Sequence, residues 1–218
     1  MKHSRYNEVM DCLDTNWAKL LISLDILPMP LPLTSAQHAH DMWKDLALDG
    51  LILSGGNTLF DQCSNSDAPE SLCEERDIYE KVLLKMALST GTPILGVCRG
   101  LQLINIFYNG ELVKIKHHAG TSHRLIAEDS ITGFELPSEV NSFHNYGIPR
   151  NKLGKGLICL AHDGQDNVEA FYHPRDKVLG IMWHPERGCL SLQADSKLIK
   201  EHFDERDLTL IDGATNTA

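Results

Sequence analysis

The chain has 218 residues, of which 42 % are hydrophobic and 23 % are charged. These values are ordinary for a globular protein, and the length suits one large domain or two small ones. Lysine and arginine together number 20 against 30 aspartate and glutamate residues, so the formal net charge is −10. Such an acidic chain is a poor general partner for nucleic acid or for an anionic membrane surface, because both require clustered positive charge.

No linker interrupts the sequence, so we expect a single domain over Met1–Ala218. Met1–Asn16 is polar and lacks the apolar core of a signal peptide, and no apolar run is long enough to span a bilayer. The cysteines show no CxxC spacing, and a chain of this size does not need disulfide bonds to fold. We therefore expect a cytoplasmic protein with reduced thiols at Cys12, Cys63, Cys73, Cys98, Cys159 and Cys189.

Hydrophobic periodicity predicts alternating helices and strands in the first half of the chain. Ser35 is a candidate N-cap for the second helix, and Ile78, Val82 and Met86 share one face of the third. The predicted segments are a helix at Glu8–Leu24, an extended stretch at Met29–Leu33, a helix around Ala39–Leu46, a strand at Leu51–Leu53, a loop at Asn57–Ser71, a helix at Glu74–Ser89, a strand at Pro93–Val97 and a helix at Gly100–Tyr108.

After Gly110 the chain becomes rich in short predicted strands, followed by one last helix at Leu192–Phe203 and a partly ordered tail at Asp204–Ala218. Alternation of strands with helices predicts an α/β fold, in which a mostly parallel sheet with right-handed crossovers is flanked by helices. The predicted strands of this half are Glu111–Ile115, His123–Ile126, Glu139–Ser142, Leu157–Ala161, Val168–Tyr172 and Val178–Trp183.

The sharpest local signal is a Gly-x-Cys-x-Gly turn between the strand at Pro93–Val97 and the helix that follows, with Cys98 at its centre. This arrangement is typical of a nucleophile elbow, whose tight turn leaves no room for a Cβ at the flanking Gly96 and Gly100. A thiol at a helix N-terminus meets partial positive charge and free N–H groups, which favour the thiolate and can bind an oxyanion. The alternative is a buried structural cysteine after a strand.

A base for this thiol is available at the end of the predicted strand Val178–Trp183, where His184 and Glu186 are two residues apart. In an extended segment such side chains point the same way, so the carboxylate can orient the imidazole as the acid does in a hydrolase triad. Active sites of open α/β sheets lie at the carboxyl ends of strands. The alternative is a histidine in a surface turn beside a solvated glutamate.

Together these residues resemble the class I glutamine amidotransferase superfamily and, within it, the γ-glutamyl hydrolase (peptidase C26-like) branch. The resemblance covers the chain from about Asp11 to Phe203 and implies a flavodoxin-like three-layer sandwich. Four motifs in the family's order carry it: Ser54-Gly55-Gly56-Asn57, Gly96-Val97-Cys98-Arg99-Gly100-Leu101-Gln102, Asn141-Ser142-Phe143-His144 and Trp183-His184-Pro185-Glu186-Arg187.

The resemblance implies a role for each residue at a matching position. Cys98 would attack the γ-carbonyl carbon of a small-molecule γ-glutamyl substrate and form a thioester, from which water would release glutamate. His184 would carry the proton from the thiol to the departing nitrogen, and Glu186 would orient His184. The backbone N–H groups of Gly56 and Arg99 would form the oxyanion hole, while Gln102 and the backbone of Asn141, Ser142 and Phe143 would hold the glutamyl moiety.

A finer resemblance links the chain to small bacterial γ-glutamyl-CDP-amidate hydrolases, which act in making the phosphoramidate decoration of capsules and other surface polysaccharides. These enzymes release glutamate from γ-glutamyl-CDP-amidate and leave cytidine diphosphoramidate. The residues that carry the resemblance are Asp11-Cys12-Leu13-Asp14 before Trp17, His118-Ala119-Gly120-Thr121-Ser122-His123 and Val140–Gly147.

If this finer resemblance holds, the segment His117–Arg124 is a natural place for pyrophosphate contacts, because it is locally basic in an acidic protein. His118 and His123 are then candidate substrate-binding residues. The alternative for these histidines is a solvated loop. A zinc ion is not expected, because no cysteine or carboxylate lies at a suitable spacing in the sequence. No other cofactor is expected either.

The chain departs from the family at its start. Members usually open with a short apolar strand before the first helix, whereas Met1–Asn7 is polar. Either the chain starts late or its sheet lacks that strand.

Three functions are compatible with these features. The first is a stand-alone γ-glutamyl hydrolase, acting on γ-glutamyl-CDP-amidate or, alternatively, on γ-glutamyl-γ-aminobutyrate of polyamine catabolism. The second is a glutaminase subunit that feeds ammonia to a separate synthase partner. The third is a non-catalytic binding protein in which the elbow is a relic. The sequence identifies neither the leaving group nor the oligomeric state, and a homodimer is compatible with it.

Overall fold

The computed structural model describes residues 2–3, 8–9, 11–60, 74–128, 133–188 and 191–204. Its helices are α1 (Thr15–Ser23), α2 (Ala36–Leu46), α3 (Glu74–Thr90), α4 (Arg99–Phe107) and α5 (Leu192–Phe203). Its strands are β1 (Lys2–His3), β2 (Glu8–Val9), β3 (Leu51–Leu53), β4 (Ile94–Val97), β5 (Val113–Lys114), β6 (Ala119–Arg124), β7 (Ile126–Ala127), β8 (Glu139–Phe143), β9 (Tyr146–Gly147), β10 (Ile158–His162), β11 (Val168–His173) and β12 (Val178–Ile181). None of the helices in these ranges is long and apolar enough to cross a membrane.

The main sheet has six strands in the order β3-β4-β12-β11-β10-β7. Strands β3, β4 and β12 are parallel neighbours, whereas β12–β11, β11–β10 and β10–β7 pair antiparallel. The α/β class is therefore confirmed, with a sheet that is mixed. The antiparallel part arises because β10, β11 and β12 follow one another through turns too short for a crossover helix.

Helices pack on both faces of this sheet and create a three-layer structure. Alternate residues of β4 serve opposite faces: Leu95 and Val97 join the apolar cluster of α1 and α5, while Ile94 joins that of α2, α3 and α4. Strand β12 follows the same alternation with Leu179 and Val178. The period of two along each strand therefore divides the core into two halves, as expected for a sheet buried on both sides.

Two short antiparallel ribbons lie outside the main sheet. One joins β5 to β9, and the other joins β6 to β8 with Arg124 opposite Glu139 and Ala119 opposite Phe143. The second ribbon carries Asn141, Ser142 and Phe143 on the same strand.

The N-cap of α2 was predicted correctly, whereas the start of the first helix was not. Ser35 caps α2 as predicted, since its Oγ accepts a hydrogen bond from the N–H of His38. The first helix, however, begins at Thr15 rather than at Glu8. Asp14 is its N-cap and accepts a hydrogen bond from the N–H of Asn16 at 2.9 Å, so the helix starts one residue later. Glu8–Val9 pairs instead with Lys2–His3.

The inward face of α3 also differs from the prediction. Ile78, which was expected to face the core, is 50 % exposed, whereas Tyr79 and Leu83 are buried. The reason is electrostatic: Asp77 and Glu80 turn inward and both pair with the buried guanidinium of Arg99 on α4. The charged pairs are therefore sequestered between the two helices, and one apolar residue is left in solvent.

Within the described residues, no strand that precedes Leu51 joins the main sheet. Three predictions extend into residues that the structure does not describe: the loop Asn57–Ser71 beyond residue 60, the tail beyond residue 204, and the reduced state of Cys63, Cys73 and Cys189.

Candidate active site

Cys98 lies in a sharp turn between β4 and α4, with φ 50° and ψ −101°. A non-glycine residue in this conformation carries about 1–3 kcal/mol of strain, which the surrounding structure must hold in place. Part of that restraint is a hydrogen bond of 2.8 Å from the N–H of Cys98 to the carbonyl of Ile181 on β12. The turn is thus tied to the neighbouring parallel strand.

The two glycines of the turn are required by close backbone contacts. A Cβ on Gly100 would lie 1.9 Å from the carbonyl oxygen of Leu53, and one on Gly96 would lie 2.8 Å from the carbonyl carbon of Gly100. Both contacts involve backbone that cannot move aside without shifting a strand. The tightness that the sequence pattern predicted is therefore explained by the approach of α4 to β3 and by the turn itself.

The thiol of Cys98 is buried, and this burial decides its protonation. Burial raises the pKa of Cys98 to about 12, although the N–H of Arg99 and the charge of Arg187 act in the opposite direction. The N–H of Arg99 at the helix N-terminus lowers the pKa as expected, but desolvation outweighs it, so the thiol is the favoured form in the free protein. A reaction at this sulfur requires a base that takes the proton as the new bond forms.

His184 and Glu186 follow β12, which is the parallel neighbour of β4. Glu186 Oε1 lies 2.7 Å from His184 Nδ1, and both side chains are buried. An ionised carboxylate can only accept, so Nδ1 carries the proton and Nε2 keeps its lone pair. Pro185–Arg187 forms a single 3-10 turn rather than the extended segment assumed in the sequence analysis.

Parallel pairing brings the nucleophile candidate and the base candidate to one edge of the sheet. Ile181 pairs with Val97, so Cys98 and His184 both emerge from the carboxyl ends of adjacent strands. Their side chains are not hydrogen-bonded to each other in the described part of the chain. Catalytic hydrogen bonds are often long without substrate, so this separation is compatible with a nucleophile and its base.

The segment Ser54–Asn57 lies against the imidazole of His184. A Cβ on Gly55 would be 2.5 Å from His184 Cε1. The guanidinium of Arg76 holds this segment by donating to the carbonyls of Ser54 and Gly55, each at 3.1 Å. The two predicted oxyanion donors, the N–H groups of Gly56 and Arg99, thus belong to segments that flank the active-site edge of the sheet.

The predicted glutamyl-binding residues have distinct environments. Gln102 is buried and donates to the carbonyl of Tyr146 at 3.0 Å. Phe143 is 43 % exposed, and its ring meets the His184 ring edge-on at a centroid distance of 5.8 Å. The guanidinium of Arg187 lies 4.4 Å from the centre of the same Phe143 ring.

The side chains of Asn141 and Ser142 bind other parts of the protein. Asn141 Nδ2 donates to the carbonyl of His184 at 2.8 Å, and its Oδ1 accepts from the N–H of His184 at 2.9 Å. Ser142 is fully buried, and its hydroxyl donates to the carbonyl of His118 at 2.6 Å. Only the backbone of these two residues is therefore available for the predicted substrate contacts.

A sequence model of the peptidase C26 family matches residues 1–186. The chain belongs to the peptidase C26 family. Its fold is also that of a solved relative: a crystal structure of a putative GMP synthase subunit from Thermoplasma acidophilum aligns with a TM-score of 0.67 at 23 % identity, covering 90 % of this chain and 89 % of the other.

Two curated proteins place this peptidase C26 chain among enzymes that act on γ-glutamyl or glutamine amides. It is 36 % identical over 205 residues to the gamma-glutamyl-CDP-amidate hydrolase of Campylobacter jejuni. That alignment covers 91 % of this chain and 90 % of the Campylobacter protein. It is 28 % identical over 140 residues to a glutamine-hydrolysing GMP synthase subunit of Thermoplasma volcanium, over 64 % of this chain and 63 % of the other. These similarities support a hydrolase with a γ-glutamyl hydrolase or glutamine amidotransferase-like function.

His118 and His123 of this family member do not lie in a solvated loop. His118 is buried with its Nε2 3.3 Å from Asp163 Oδ2, and His123 Nε2 is 3.4 Å from Glu169 Oε2. The sequence has no carboxylate at a suitable spacing from these histidines, but the fold brings Asp163 and Glu169 to them. Two carboxylates also oppose the binding of a pyrophosphate by these two side chains.

Three further members of the cluster around His118 and His123 were not predicted from the sequence: Glu169, Asp163 and His144. Glu169 is 1 % exposed, and burial raises its pKa. His144 Nε2 lies 3.7 Å from Glu169 Oε1, and burial lowers the pKa of His144 to about 4. One signal was available in the sequence: Glu169 interrupts the apolar run Val168–Tyr172, and a charged residue at such a position needs partners inside the fold.

Proposed function

We propose that the chain is a cysteine-dependent γ-glutamyl hydrolase, with Cys98 as nucleophile, His184 as general base and acid, and Glu186 as the group that orients His184. The single observation that carries the proposal is the parallel pairing of β4 and β12, which presents Cys98 beside a His184 whose Nδ1 is occupied by Glu186. A nucleophile, a base and an orienting carboxylate at one strand edge are the minimum machinery for acyl transfer.

The first step forms the thioester. As Cys98 Sγ bonds to the γ-carbonyl carbon, its proton passes to His184 Nε2, so no free thiolate of the buried cysteine need accumulate. The carbonyl π bond opens, and the N–H groups of Gly56 and Arg99 bind the resulting oxyanion. When the carbonyl reforms, the C–N bond breaks and His184 Nε2 gives the proton to the departing nitrogen.

The second step releases glutamate. A water molecule gives one proton to His184 Nε2 while its oxygen attacks the thioester carbon, which passes through a second oxyanion. Collapse of that intermediate breaks the C–S bond, and the proton on His184 returns to the sulfur of Cys98. Glu186 stabilises the imidazolium in both steps, which makes the same base available twice.

For the leaving group we propose cytidine diphosphoramidate, so that the substrate is γ-glutamyl-CDP-amidate and the product supplies phosphoramidate decoration of surface polysaccharides. The similarity to the Campylobacter jejuni hydrolase over nearly the full length of both chains supports this choice. His118 and His123 are not part of the proposed pyrophosphate contact, since they face Asp163 and Glu169. Two exposed cations, Arg124 at the end of this segment and Lys116 just before it, are the better candidates.

The test measures glutamate release from γ-glutamyl-CDP-amidate, γ-glutamyl-γ-aminobutyrate and glutamine by the purified full chain. We expect turnover of γ-glutamyl-CDP-amidate that is lost in Cys98→Ala and retained in Cys159→Ala, which removes a cysteine away from the elbow. Trapping of a glutamyl adduct on Cys98 by mass spectrometry would support the thioester. Activity that survives in Cys98→Ala would overturn the mechanism.

The pattern across the three substrates identifies the leaving group. Preference for γ-glutamyl-γ-aminobutyrate would keep the mechanism but replace the proposed substrate. Preference for glutamine would favour a glutaminase subunit, a function suggested by the similarity to the GMP synthase subunit of Thermoplasma volcanium. In that case addition of a synthase partner should stimulate the release of ammonia.

A further inference from the structure

Three side chains from two distant parts of the chain form a cluster beside β11. His118 and His123 come from the segment at β6, and Glu169 comes from the middle of β11. One potential ligand atom from each of them lies within 4.8 Å of the others. The rings of His118 and His123 are 5.1 Å apart.

The carboxylate in this cluster has only long contacts with the histidines that face it, at 3.4 Å to His123 Nε2 and 3.7 Å to His144 Nε2. Glu169 is 1 % exposed, and neither of its oxygens makes a well-aligned hydrogen bond within the described part of the chain. The same holds for Nε2 of His123 and of His144. Four buried polar atoms without a well-aligned hydrogen bond thus converge here, which is costly unless a further group satisfies them.

We propose that His118, His123 and Glu169 bind a divalent transition-metal ion, with Zn²⁺ as the preferred ion. Two imidazoles and one carboxylate form a donor set that zinc uses in proteins, and the set leaves a fourth position open. A cation there would neutralise Glu169 and give its oxygens the partner they lack. It would also explain why a glutamate occupies an otherwise apolar strand.

The groups around the three ligands match the surroundings of metal-binding histidines. Asp163 Oδ2, 3.3 Å from His118 Nε2, is itself fixed by the side-chain amide of Asn167, which donates to it at 2.8 Å. His144 Nδ1 lies 2.9 Å from the carbonyl of Tyr146, to which it donates, so His144 Nε2 keeps a lone pair 3.7 Å from Glu169 Oε1. Carboxylates and carbonyls of this kind orient imidazoles and raise their basicity as ligands.

The site would connect the β6–β8 ribbon to the main sheet and to the catalytic histidine. Ser142 hydrogen-bonds the carbonyl of His118, while its neighbour Asn141 hydrogen-bonds the backbone of His184. The carbonyl of Glu169 accepts from the N–H of Met182, two residues before His184. The ion would thus act as a positioning group for His184 and need not touch the reacting atoms.

Metal binding is tested directly on the full chain after extraction with a chelator. We expect the protein to take up one equivalent of Zn²⁺ in competition with a chromophoric chelator, and one equivalent of Co²⁺ with the visible absorption of a four- or five-coordinate nitrogen–oxygen site. Thermal unfolding should shift upward in Zn²⁺. Failure of the wild-type chain to retain either ion in stoichiometric amount would overturn the proposal.

Matched variants assign the ligands. Glu169→Gln and His123→Ala should each lower Zn²⁺ affinity about 100-fold or more. His38→Ala is the control, because His38 is exposed on α2 away from these residues, and the Zn²⁺ affinity of this variant should equal that of the wild type. Unchanged affinity in both Glu169→Gln and His123→Ala would refute this site. If either variant fails to fold, the Co²⁺ spectrum of His118→Ala, compared with that of the wild type, decides whether imidazole ligation is lost.

Discussion

The side-chain amide of Asn141 hydrogen-bonds both backbone groups of His184, through Nδ2 to the carbonyl at 2.8 Å and through Oδ1 from the N–H at 2.9 Å. This two-point contact fixes the backbone from which the imidazole projects. It joins the β6–β8 ribbon to the end of β12, so the orientation of the proposed base depends on a ribbon outside the main sheet.

Replacement of Asn141 by alanine should impair turnover more than binding. Loss of two hydrogen bonds, each contributing about 1 kcal/mol, should lower the melting temperature by about 4–8 °C. We expect kcat for glutamate release to fall about tenfold with KM little changed, since a mobile His184 is positioned less often for proton transfer. Steady-state kinetics at a temperature well below the melting transition measures this. Asn151→Ala, at an exposed position, is the control, and an equal fall in kcat there would argue against a positioning role.

The negative charge of Glu186 should support turnover by stabilising the protonated imidazole of His184. Glu186→Gln keeps the shape of the side chain but removes the charge that stabilises the imidazolium. We expect kcat to fall about 100-fold or more, because general acid–base catalysis contributes about 10²–10⁴ to such rates. Glu135→Gln changes an exposed glutamate and should leave kcat unchanged. Wild-type turnover in Glu186→Gln would remove Glu186 from the proposed triad.

Arg76 should act as a positioning residue for Ser54–Asn57, the segment that carries the proposed oxyanion donor Gly56. Its guanidinium donates to the carbonyls of Ser54 and Gly55 and to Oδ1 of Asn57, while its Nε pairs with Glu80 at 2.7 Å. Lysine keeps the charge but cannot reproduce this planar set of donors. We expect kcat/KM of Arg76→Lys to fall about tenfold, which corresponds to about 1.4 kcal/mol of transition-state stabilisation.

The control for Arg76 is Arg175→Lys, since the Arg175 side chain is 86 % exposed. Equal kcat/KM in Arg76→Lys and Arg175→Lys would show that the planar guanidinium of Arg76 does not contribute to catalysis.

The turn at Cys98 should not tolerate a methyl group at Gly100. Alanine there would place its Cβ 1.9 Å from the carbonyl oxygen of Leu53, so β3 and α4 would have to separate. We expect a loss of about 3 kcal/mol or more in the free energy of unfolding, measured by urea denaturation. Gly164→Ala is the matched control, because no described atom lies within 4 Å of the Cβ it would add. Equal stability of the two variants would contradict the packing.

His202 should contribute to acid sensitivity. It is buried in α5, its Nε2 lies 3.0 Å from the carbonyl of Ile94, and burial lowers its pKa to about 4, with Lys177 acting in the same direction. Since this value is below the ordinary one of about 6.5, the stability from the neutral ring is complete above pH ~6.5 and is lost as the pH falls towards 4. The loss from this residue should reach about 3 kcal/mol.

Urea denaturation at pH 7 and near pH 4 measures this effect. His202→Gln can still donate to the Ile94 carbonyl but does not titrate, so its free energy of unfolding should fall less between the two pH values than that of the wild type. Parallel losses in the two proteins would assign the acid sensitivity to other groups.

Local signals in the sequence were sufficient for much of the fold. The cap at Ser35 and the helix Leu192–Phe203 depend on interactions between residues close in the chain, and the structure has them where the patterns predicted. The turn at Cys98 was recognised from a pattern of five residues, although one of its glycines, Gly100, is required by contact with the distant Leu53. The peptidase C26 family was likewise predicted from motifs that are each a few residues long.

Features that depend on distant partners were missed. Ile78 was placed in the core because periodicity cannot show that Asp77 and Glu80 would bury themselves against Arg99. The cluster around Glu169 was not predicted for the same reason, since His118 and His123 lie about fifty residues away from it in the sequence. The protonation of Cys98 was also misjudged, because a sequence shows the helix N-terminus but not the extent of desolvation.

Because Val97 pairs with Ile181, the proposed site can form only late in synthesis of the chain on the ribosome. A nascent chain that has emerged only as far as α4 already contains the thiol but has no strand on one side of β4 and no imidazole near the sulfur. Contacts between such distant segments form slowly, since the long intervening loop must first be closed. The proposed activity should therefore be acquired only after β12 has been synthesised and inserted between β4 and β11, and proteolytic fragments that end before it should be inert.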